Sequence, residues 1–455
     1  MYNPNLHFYF IGIGGSGMSG IAEILLTQGF KVTGSDVKLS AVTKRLEGLG
    51  AKIHQGHSAL NITEEYSLVV YSSAIVAENP EMIRAYELNI PVIRRAEVLA
   101  ELMRLKYGVA VAGSHGKTST TTMIAAVMEQ GRLDPTVIVG GIAQTYGSAS
   151  KLGKTDYLVA ESDESDRSFL LLKPTIAVVT NIDEEHLSAY SSIKDLENAF
   201  FNFISAVPFY GLAVLCSDDA RVRKIIKKAR CRFVTYGENH DADIRGELIS
   251  ISPEGTVYNV FKENKLLGKV NLSAIGRHFM LNSLASIAVG LEFGIDFNDI
   301  KKALACFKGV KRRIEVLGTP NGVTLINDYA HHPTEIKASL KAIKDAYSKN
   351  GSKIHLLFQP HRYSRTKDCI EGFKTCFAES DNVYISEIYA AGEKPIIGVD
   401  SKTICKENQH NNCNYIPELK DGLNLIKANL KKGDVVVCMG AGSVGSFAEE
   451  ALKII

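Results

Sequence analysis

The stretch Gly113-Ser114-His115-Gly116-Lys117-Thr118-Ser119 has the residue types and spacing to hold a nucleoside triphosphate. It follows an apolar run at 107–112 and precedes a long helical pattern, the setting in which backbone amides at a helix start cradle phosphates. Val111 stands where the commoner GxxxxGK spacing needs glycine, so the loop is the shorter GxxGKT. In such a loop the Lys117 ammonium neutralises β- and γ-phosphate oxygens and the Thr118 hydroxyl ligates magnesium.

Two acidic clusters follow apolar runs that read as strands: Glu161-Ser162-Asp163-Glu164-Ser165-Asp166 and Asp183-Glu184-Glu185-His186. Hard carboxylate oxygens at the C-terminal edge of a parallel sheet, beside a phosphate loop, are where magnesium is held. Not all of these acids can be ligands of one ion, and Glu161, the first residue off its strand, is the one read as a ligand. His186 is ambiguous from its type alone, because imidazole is an uncommon magnesium ligand.

A second glycine turn lies near the start. Gly12, Gly14 and Gly17 form GxGxxG between an apolar run and a helical pattern, and Asp36 comes 19 residues after Gly17 at the end of the next strand. This is the turn that places a pyrophosphate on a helix N-terminus and a sugar hydroxyl on a carboxylate. It leaves open whether the ligand is a dinucleotide or a nucleotide-sugar. A third glycine cluster, Gly440-Ala441-Gly442-Ser443-Val444-Gly445, resembles it, but so few residues follow that it reads as a structural strand-to-helix turn.

These motifs need parallel sheets to position them. The chain has 455 residues, 45% of them hydrophobic, which is enough for two to four domains with buried cores. The pattern predicts an α/β protein of three domains: a Rossmann-like N-terminal domain over 1–105, a central phosphate-loop domain over 106–315, and a Rossmann-like C-terminal domain over 316–455. The central domain is expected to combine a mostly parallel sheet with a small antiparallel sheet over 233–275, with turns at Ser252-Pro253-Glu254-Gly255 and Lys262-Glu263-Asn264. In the last domain four runs ending near 328, 358, 386 and 439 each deliver polar residues or glycines to a sheet edge.

The 52 basic and 50 acidic residues give a net charge of +2, without the broad positive field that nucleic acid requires. The basic run Arg221 to Arg232 reads as a solvated helix face. Eight cysteines form no CxxC pair, the opening Met1-Tyr2-Asn3-Pro4 has no basic leader, and no uncharged apolar stretch approaches the ~20 residues that span a bilayer. The expectation is a cytoplasmic protein without a membrane or nucleic-acid partner, monomer or homodimer.

Taken in order, GIGGSGMSG, GSHGKTS, ESDESDRSF, TNIDEEHL, GRHFMLNSLAS, FKGVKRRIE, NDYAHHPTEI, FQPHRYSRT, IYAAGEKP and GAGSVG resemble the Mur ligase family over essentially the whole chain, and within it the alanine-adding branch. The resemblance implies that ATP, UDP-N-acetylmuramate and L-alanine give ADP, phosphate and UDP-N-acetylmuramoyl-L-alanine through an acyl phosphate, with ATP and Mg2+ as cofactors. It places the uridine diphosphate at Gly14, Gly15, Ser16, Gly17 and Met18 with Ser35, Asp36, Ser72 and Ser73. It places the triphosphate at Gly113 to Ser119, with His115 near the reacting carboxylate. Thr118 and Glu161 resemble ligands of one magnesium and His186 that of a second, which makes Lys117, His115, Glu161 and His186 the catalytic set. His278 and Asn282 match the helix start that holds adenine, Arg313 and Asp328 the groups around phosphates and ribose, and Tyr329, His331, Arg362 and Arg365 the L-alanine pocket.

Two positions bear on that likeness. Phe279 stands where the alanine-adding branch usually has Asn, and it either stacks in place of the amide or packs into the core. The later-acting ligases carry a modified lysine where this chain has Phe200-Phe201, which agrees with the alanine branch. The rival readings are a recycling ligase that joins a preformed peptide to UDP-N-acetylmuramate and a nicotinamide-dependent oxidoreductase built on the glycine turns.

Overall fold

The computed structural model describes residues 5–72, 74–185, 189–348 and 351–455. Expected sites at Ser73 and His186 lie outside them, as does the side chain of Ser16. By contact density the chain forms two units, one of residues 1–247, 259–270 and 281–308, the other of 248–258, 271–280 and 309–455.

The first unit holds one sheet and most of a second. One is a five-stranded parallel sheet ordered Lys52–Gln55, Lys31–Asp36, His7–Ile11, Leu68–Tyr71, Val92–Arg94. Its order reverses beside the first strand, so the C-terminal end of His7–Ile11 opens onto a crevice, and the GxGxxG turn sits there. Alternate residues of that strand serve opposite faces. Phe8 and Phe10 enter the main core with Met18 and Ile21, while Tyr9 and Ile11 pack with Val69 and Met82.

The other sheet places the strand Tyr107–Ala112 between Tyr157–Glu161 and Ile176–Val179, all parallel. The phosphate loop therefore leaves the middle of the sheet, and the two acidic clusters leave its immediate neighbours. Beyond these lie Leu212–Cys216 and Phe233–Gly237 on one side, and Thr136–Ala143 with the antiparallel Ser148–Lys151 on the other. The strands Ile244–Ser252, Gly255–Lys262 and Lys265–Leu272 are consecutive neighbours joined by short turns, as expected, but they extend the parallel sheet instead of standing apart, and Phe233–Gly237 belongs to its parallel part. Ile244 pairs with Tyr236 in parallel, and the same sheet continues to ten strands. The two turns are where the sequence placed them, and Glu263 and Asn264, with φ of 50° and 62°, make the type I′ geometry that suits a hairpin.

The second unit carries a six-stranded sheet ordered Glu315–Gly318, Thr324–Asp328, Val435–Met439, Ile354–Phe358, Asn382–Ile385, Cys413–Tyr415, parallel except for its first strand. The last strand in sequence is inserted at the centre, and Val435 to Met439 are accordingly buried on both faces. The basic run is a short helix, Ala220–Ile226, capped by Asp219, with Lys224 paired to Glu197. Among the described residues no helix is long and apolar enough to cross a membrane.

Candidate active site

Gly113 and Gly116 can occupy their positions only as glycines. Their φ angles are +141° and +81°, and a Cβ would lie 2.0 Å from Thr180 Oγ1 at Gly113 and 2.7 Å from Asn282 Oδ1 at Gly116. The loop is fastened to the end of the strand Ile176–Val179. Thr180 Oγ1 donates to the His115 carbonyl at 2.7 Å, His115 N donates to Asn181 Oδ1 at 2.8 Å, and Asp183 N donates to Ser114 Oγ at 2.8 Å. The His115 ring lies 2.9 Å from Asp183 Oδ2 and 3.7 Å from Glu185 Oε2. Thr118 and Ser119 are buried in the first turn of the helix Lys117–Gln130.

Lys117 is enclosed by acceptors: Gly113 O at 2.6 Å, Glu164 Oε1 at 2.8 Å and Ser114 O at 3.2 Å. Burial disfavours its charge, but Glu164, Asp163 and Glu161 outweigh burial and hold the ammonium above its ordinary range. Burial raises the Glu164 carboxyl to about 7 despite the pull of Lys117. For Asp163 burial works the same way, yet Lys117 and the Ser165 amide win and the carboxyl is lowered.

Glu161 Oε2 accepts from Gly140 N at 2.7 Å, which aims the carboxylate into a cleft of about 310 Å³. Gly15, Gly17, Met18, Ser72 and Arg95 line the same cleft, so the glycine turn of the first sheet and the acidic cluster of the second face one space. Arg95 lies over the turn, where a Cβ on Gly17 would be 2.7 Å from Nη1. It also borders a neighbouring cleft of about 520 Å³ with Arg94, Arg167 and Ser165. Hard oxygens of Glu161, Asp163 and Thr118 are chemically suited to magnesium.

The expected partners of a sugar are placed differently. Asp36 Oδ2 accepts from Gly14 N at 2.9 Å, and Oδ1 accepts from Lys38 N at 3.2 Å, so this carboxylate shapes the turn itself. Ser35 is fully buried; its carbonyl receives Gly12 N and Ile13 N, and its hydroxyl donates to Glu81 Oε2 at 2.5 Å. Glu81, also fully buried, further accepts from Tyr9 OH at 2.8 Å and Asn61 Nδ2 at 2.7 Å and lies 3.0 Å from His57 Nδ1.

Asn282 and His278 sit four residues apart on the helix Arg277–Glu292. Asn282 lies against Gly116, as noted. Burial, with Arg313 adding to it, lowers the His278 imidazole to about 4, so it is neutral at physiological pH. Phe279 is buried and packs on His278 with ring centroids 4.5 Å apart, which is the core-packing alternative.

In the second unit Asp328 is buried and uses both oxygens locally, Oδ2 from Ile314 N and Oδ1 from Ala330 N, each at 2.7 Å. It thereby positions Arg313 and Tyr329. The Tyr329 ring is approached by Arg312 at 4.8 Å and Arg313 at 5.1 Å, and His331 Nδ1 lies 3.0 Å from the Tyr329 carbonyl. Arg365 Nη1 lies 3.0 Å from His361 Nδ1, and the His361 ring stacks on Tyr389 at 5.6 Å. Burial lowers His361 to about 4, with Arg365 contributing, so its nitrogen is available to accept. Arg362 has φ 69° and ψ 140°, a strained backbone for a residue with a side chain, and such strain concentrates at ligand sites. The last glycine cluster is filled by protein: Arg312 Nη2 donates to the Gly440 and Gly442 carbonyls and Gln359 Oε1 accepts from Val444 N. It is structural, as the sequence indicated.

Sequence reasoning missed Arg95, Glu81, Thr180, Asn181, His361 and Gln359 as members of these sites. Thr180, Asn181, Gln359 and His361 lie within the motifs TNIDEEHL and FQPHRYSRT, and Arg95 carried a weaker signal, a paired arginine directly after a strand.

Residues 7–107 match the family description "Mur ligase family, catalytic domain", 111–290 "Mur ligase middle domain", and 312–442 "Mur ligase, glutamate ligase domain". A UDP-N-acetylmuramate--L-alanine ligase of Desulfotalea psychrophila is 47% identical, covering 100% of this chain and 99% of that protein. One of Desulforapulum autotrophicum is 46% identical, covering 100% of both. Among solved structures, the UDP-N-acetylmuramate-alanine ligase MurC of Thermotoga maritima superposes with a TM-score of 0.83 at 28% identity over 99% of each chain. A murein peptide ligase of Psychrobacter arcticus shares the fold, with a TM-score of 0.72 at 23% identity over 98% of each chain.

Proposed function

Because this chain belongs to the Mur ligase family, we propose that it joins L-alanine to the lactyl carboxylate of UDP-N-acetylmuramate with cleavage of ATP to ADP and phosphate. The observation that carries the reading is the cleft shared by the glycine turn, Arg95 and Glu161, with the partly buried Lys117 paired to Glu164 of the same acidic cluster. A nucleotide-sugar whose diphosphate rests on the turn extends its sugar toward the phosphate loop.

A carboxylate is a poor acyl donor, so the chemistry starts with activation. The lactyl carboxylate oxygen attacks the γ-phosphorus of ATP, the β–γ bridge bond breaks, and ADP leaves. Lys117 moves to the β- and γ-oxygens and offsets charge that builds there, while the loop amides from Gly113 to Ser119 orient the chain. Magnesium, when bound through Thr118 and Glu161, supplies further positive charge to the phosphates; His186 is the proposed ligand of a second ion. The L-alanine amine then attacks the acyl carbon, and inorganic phosphate departs with its bonding electrons.

His278 and Asn282 are proposed for adenine, Arg313 and Asp328 for the ordering of the nucleotide, with Asp328 acting through Ile314 and Ala330. Arg362 and Arg365 grip the amino-acid carboxylate, with Tyr329 and His331 beside it, a task suited to paired guanidinium groups. Gly14, Gly15, Ser16, Gly17, Met18, Ser72 and Ser73 receive the UDP portion, with Ser35 and Asp36 shaping the turn. Residues 1–105, 106–315 and 316–455 divide these tasks. A cytoplasmic location is part of the same proposal; among the described residues no helix is long and apolar enough to cross a membrane.

Phosphate release by the purified protein tests this. It should require ATP, magnesium, UDP-N-acetylmuramate and L-alanine together. Turnover with a preformed tripeptide and none with L-alanine would instead identify a recycling ligase.

A further inference from the structure

Cys405 and Cys413 are eight residues apart in the chain, yet their sulfurs lie 3.4 Å apart, with the Cys413 thiol donating to Cys405 Sγ. Cys405 is on the helix Ser401–Glu407 and Cys413 opens the edge strand Cys413–Tyr415. Both are partly exposed. The segment between them is held in place: Gln409 N donates to Lys374 O at 2.9 Å, His410 Nε2 lies 2.8 Å from Ser380 O, and Asn412 Nδ2 donates to Asp381 O at 3.2 Å. Two thiols pinned on separate elements need only a small side-chain movement to reach the ~2.05 Å of a disulfide bond.

The geometry points to a thiol–disulfide site at Cys405 and Cys413, which low-molecular-weight disulfides oxidise to an intramolecular bridge. The Cys405 thiolate attacks one sulfur of the oxidant RSSR, forming a mixed disulfide and releasing RS⁻. The Cys413 sulfur then attacks Cys405 Sγ, the mixed disulfide breaks, and a second RS⁻ leaves. The two cysteine protons end on the two released thiolates, so the protein loses two hydrogens and two electrons and RSSR becomes two RSH.

The pair differs from the buried cysteines in its access, and from the exposed Cys306 and the partly exposed Cys231 and Cys369 in having a second sulfur at 3.4 Å. Cys216, Cys376 and Cys438 are buried, and burial pushes the thiols of Cys216 and Cys438 up to about 12, where little thiolate forms. The hydrogen bond from Cys413 works in the opposite sense on Cys405 and lowers its thiol. A bridge fastens the helix Ser401–Glu407 to the edge strand. The Ser401 hydroxyl of that helix donates to the Ser386 carbonyl at 2.6 Å, just after the strand that delivers Tyr389 toward His361 and Arg362.

The test is brief treatment of the full-length protein with glutathione disulfide, followed by alkylation and peptide mass mapping. Cys405 and Cys413 should lose their titratable thiols together, without a glutathione adduct on either, and a reductant-sensitive link should join the peptides that carry them, whatever adduct the exposed Cys306 forms. The variant Cys413→Ser should retain a glutathione adduct on Cys405. Recovery of Cys405 and Cys413 as free thiols while other cysteines react, or a link from either to a third cysteine, overturns the assignment.

Discussion

Lys117 Nζ donates to Glu164 Oε1 at 2.8 Å, and the other oxygen of that wholly buried carboxylate has no hydrogen-bond partner among the described residues. When Lys117 turns to a phosphate, Glu164 loses the cation paired with it in a buried site, where a bare carboxylate is costly. Its carboxyl already stands near 7 with Lys117 beside it, because burial outweighs the pair, so loss of the lysine raises it further. ATP binding is then coupled to proton uptake. The sign follows from linkage: a state that binds more protons is favoured at low pH. Affinity for ATP should fall as pH rises from about 7 to 8.5 in the wild type, and Glu164→Gln should flatten that dependence. Fluorescence titration with a nucleotide analogue over this range measures both slopes, and equal slopes would refute the coupling.

The lysine itself is the next test. Lys117→Ala removes the charge that opposes the developing phosphoryl oxygens but touches nothing in the glycine turn. Turnover should drop more than tenfold, while calorimetry with UDP-N-acetylmuramate gives a dissociation constant within a factor of two or so of the wild type, since the loss is confined to the phosphoryl step. Retention of more than a tenth of the activity argues against the assigned role.

Arg95 separates binding from chemistry in the opposite direction. It lies over Gly17 and lines the cleft that leads to Glu161. A charge-assisted hydrogen bond to a diphosphate contributes roughly 1.5–3 kcal/mol, so Arg95→Ala should raise the KM for UDP-N-acetylmuramate by roughly 10- to 100-fold and leave kcat nearly unchanged. Steady-state kinetics with ATP and L-alanine saturating decides this. An unchanged KM removes Arg95 from the site.

Glu81 governs the scaffold beneath that turn. It ties Tyr9, Ser35, Asn61 and His57 together from the helix Pro80–Glu87, and Ser35 in turn receives the amides of Gly12 and Ile13. Glu81→Ala leaves several buried donors without acceptors and should cost about 3–5 kcal/mol of stability, read as a lower urea midpoint. Glu81→Gln keeps an acceptor and should cost less. An unaltered midpoint for the alanine variant contradicts the network.

The contrast between Lys117 and Arg95 explains what was legible in the sequence. Gly113 to Ser119 act as neighbours along the chain, so their chemistry is written in their spacing, and the flanking strand and helix follow from apolar patterning. Glu164 reaches Lys117 across 47 residues and Glu81 reaches Tyr9 across 72, and only the sheet order brings such pairs together. The same holds for topology. Alternating strands and helices announce parallel sheets, but nothing in 435–439 says that the last strand is inserted between Thr324–Asp328 and Ile354–Phe358, or that Ile244 pairs with Tyr236. Asp36 and Ser35 occupy the positions their motif predicts, yet their side chains serve Gly14 and Glu81, because a turn of three close glycines needs its own amides satisfied.

Arg362 offers a test in which backbone and side chain can be separated. Its φ of 69° with ψ of 140° is easy for glycine and strained for any other residue. Its amide donates to the Tyr389 carbonyl at 2.9 Å, and the bridge between His361 and Tyr389 holds the segment in that shape. Both Arg362→Gly and Arg362→Ala remove the guanidinium proposed to grip the carboxylate of L-alanine. Each should raise the KM for L-alanine by roughly tenfold or more, with the KM for ATP little changed. Stability should divide them: the glycine variant relieves the strain and should be about 1 kcal/mol more stable than the alanine variant by chemical denaturation. If the two variants are equally stable, the strain is not real. If both keep the wild-type KM for L-alanine, the strained position serves the fold and the amino-acid carboxylate is held elsewhere.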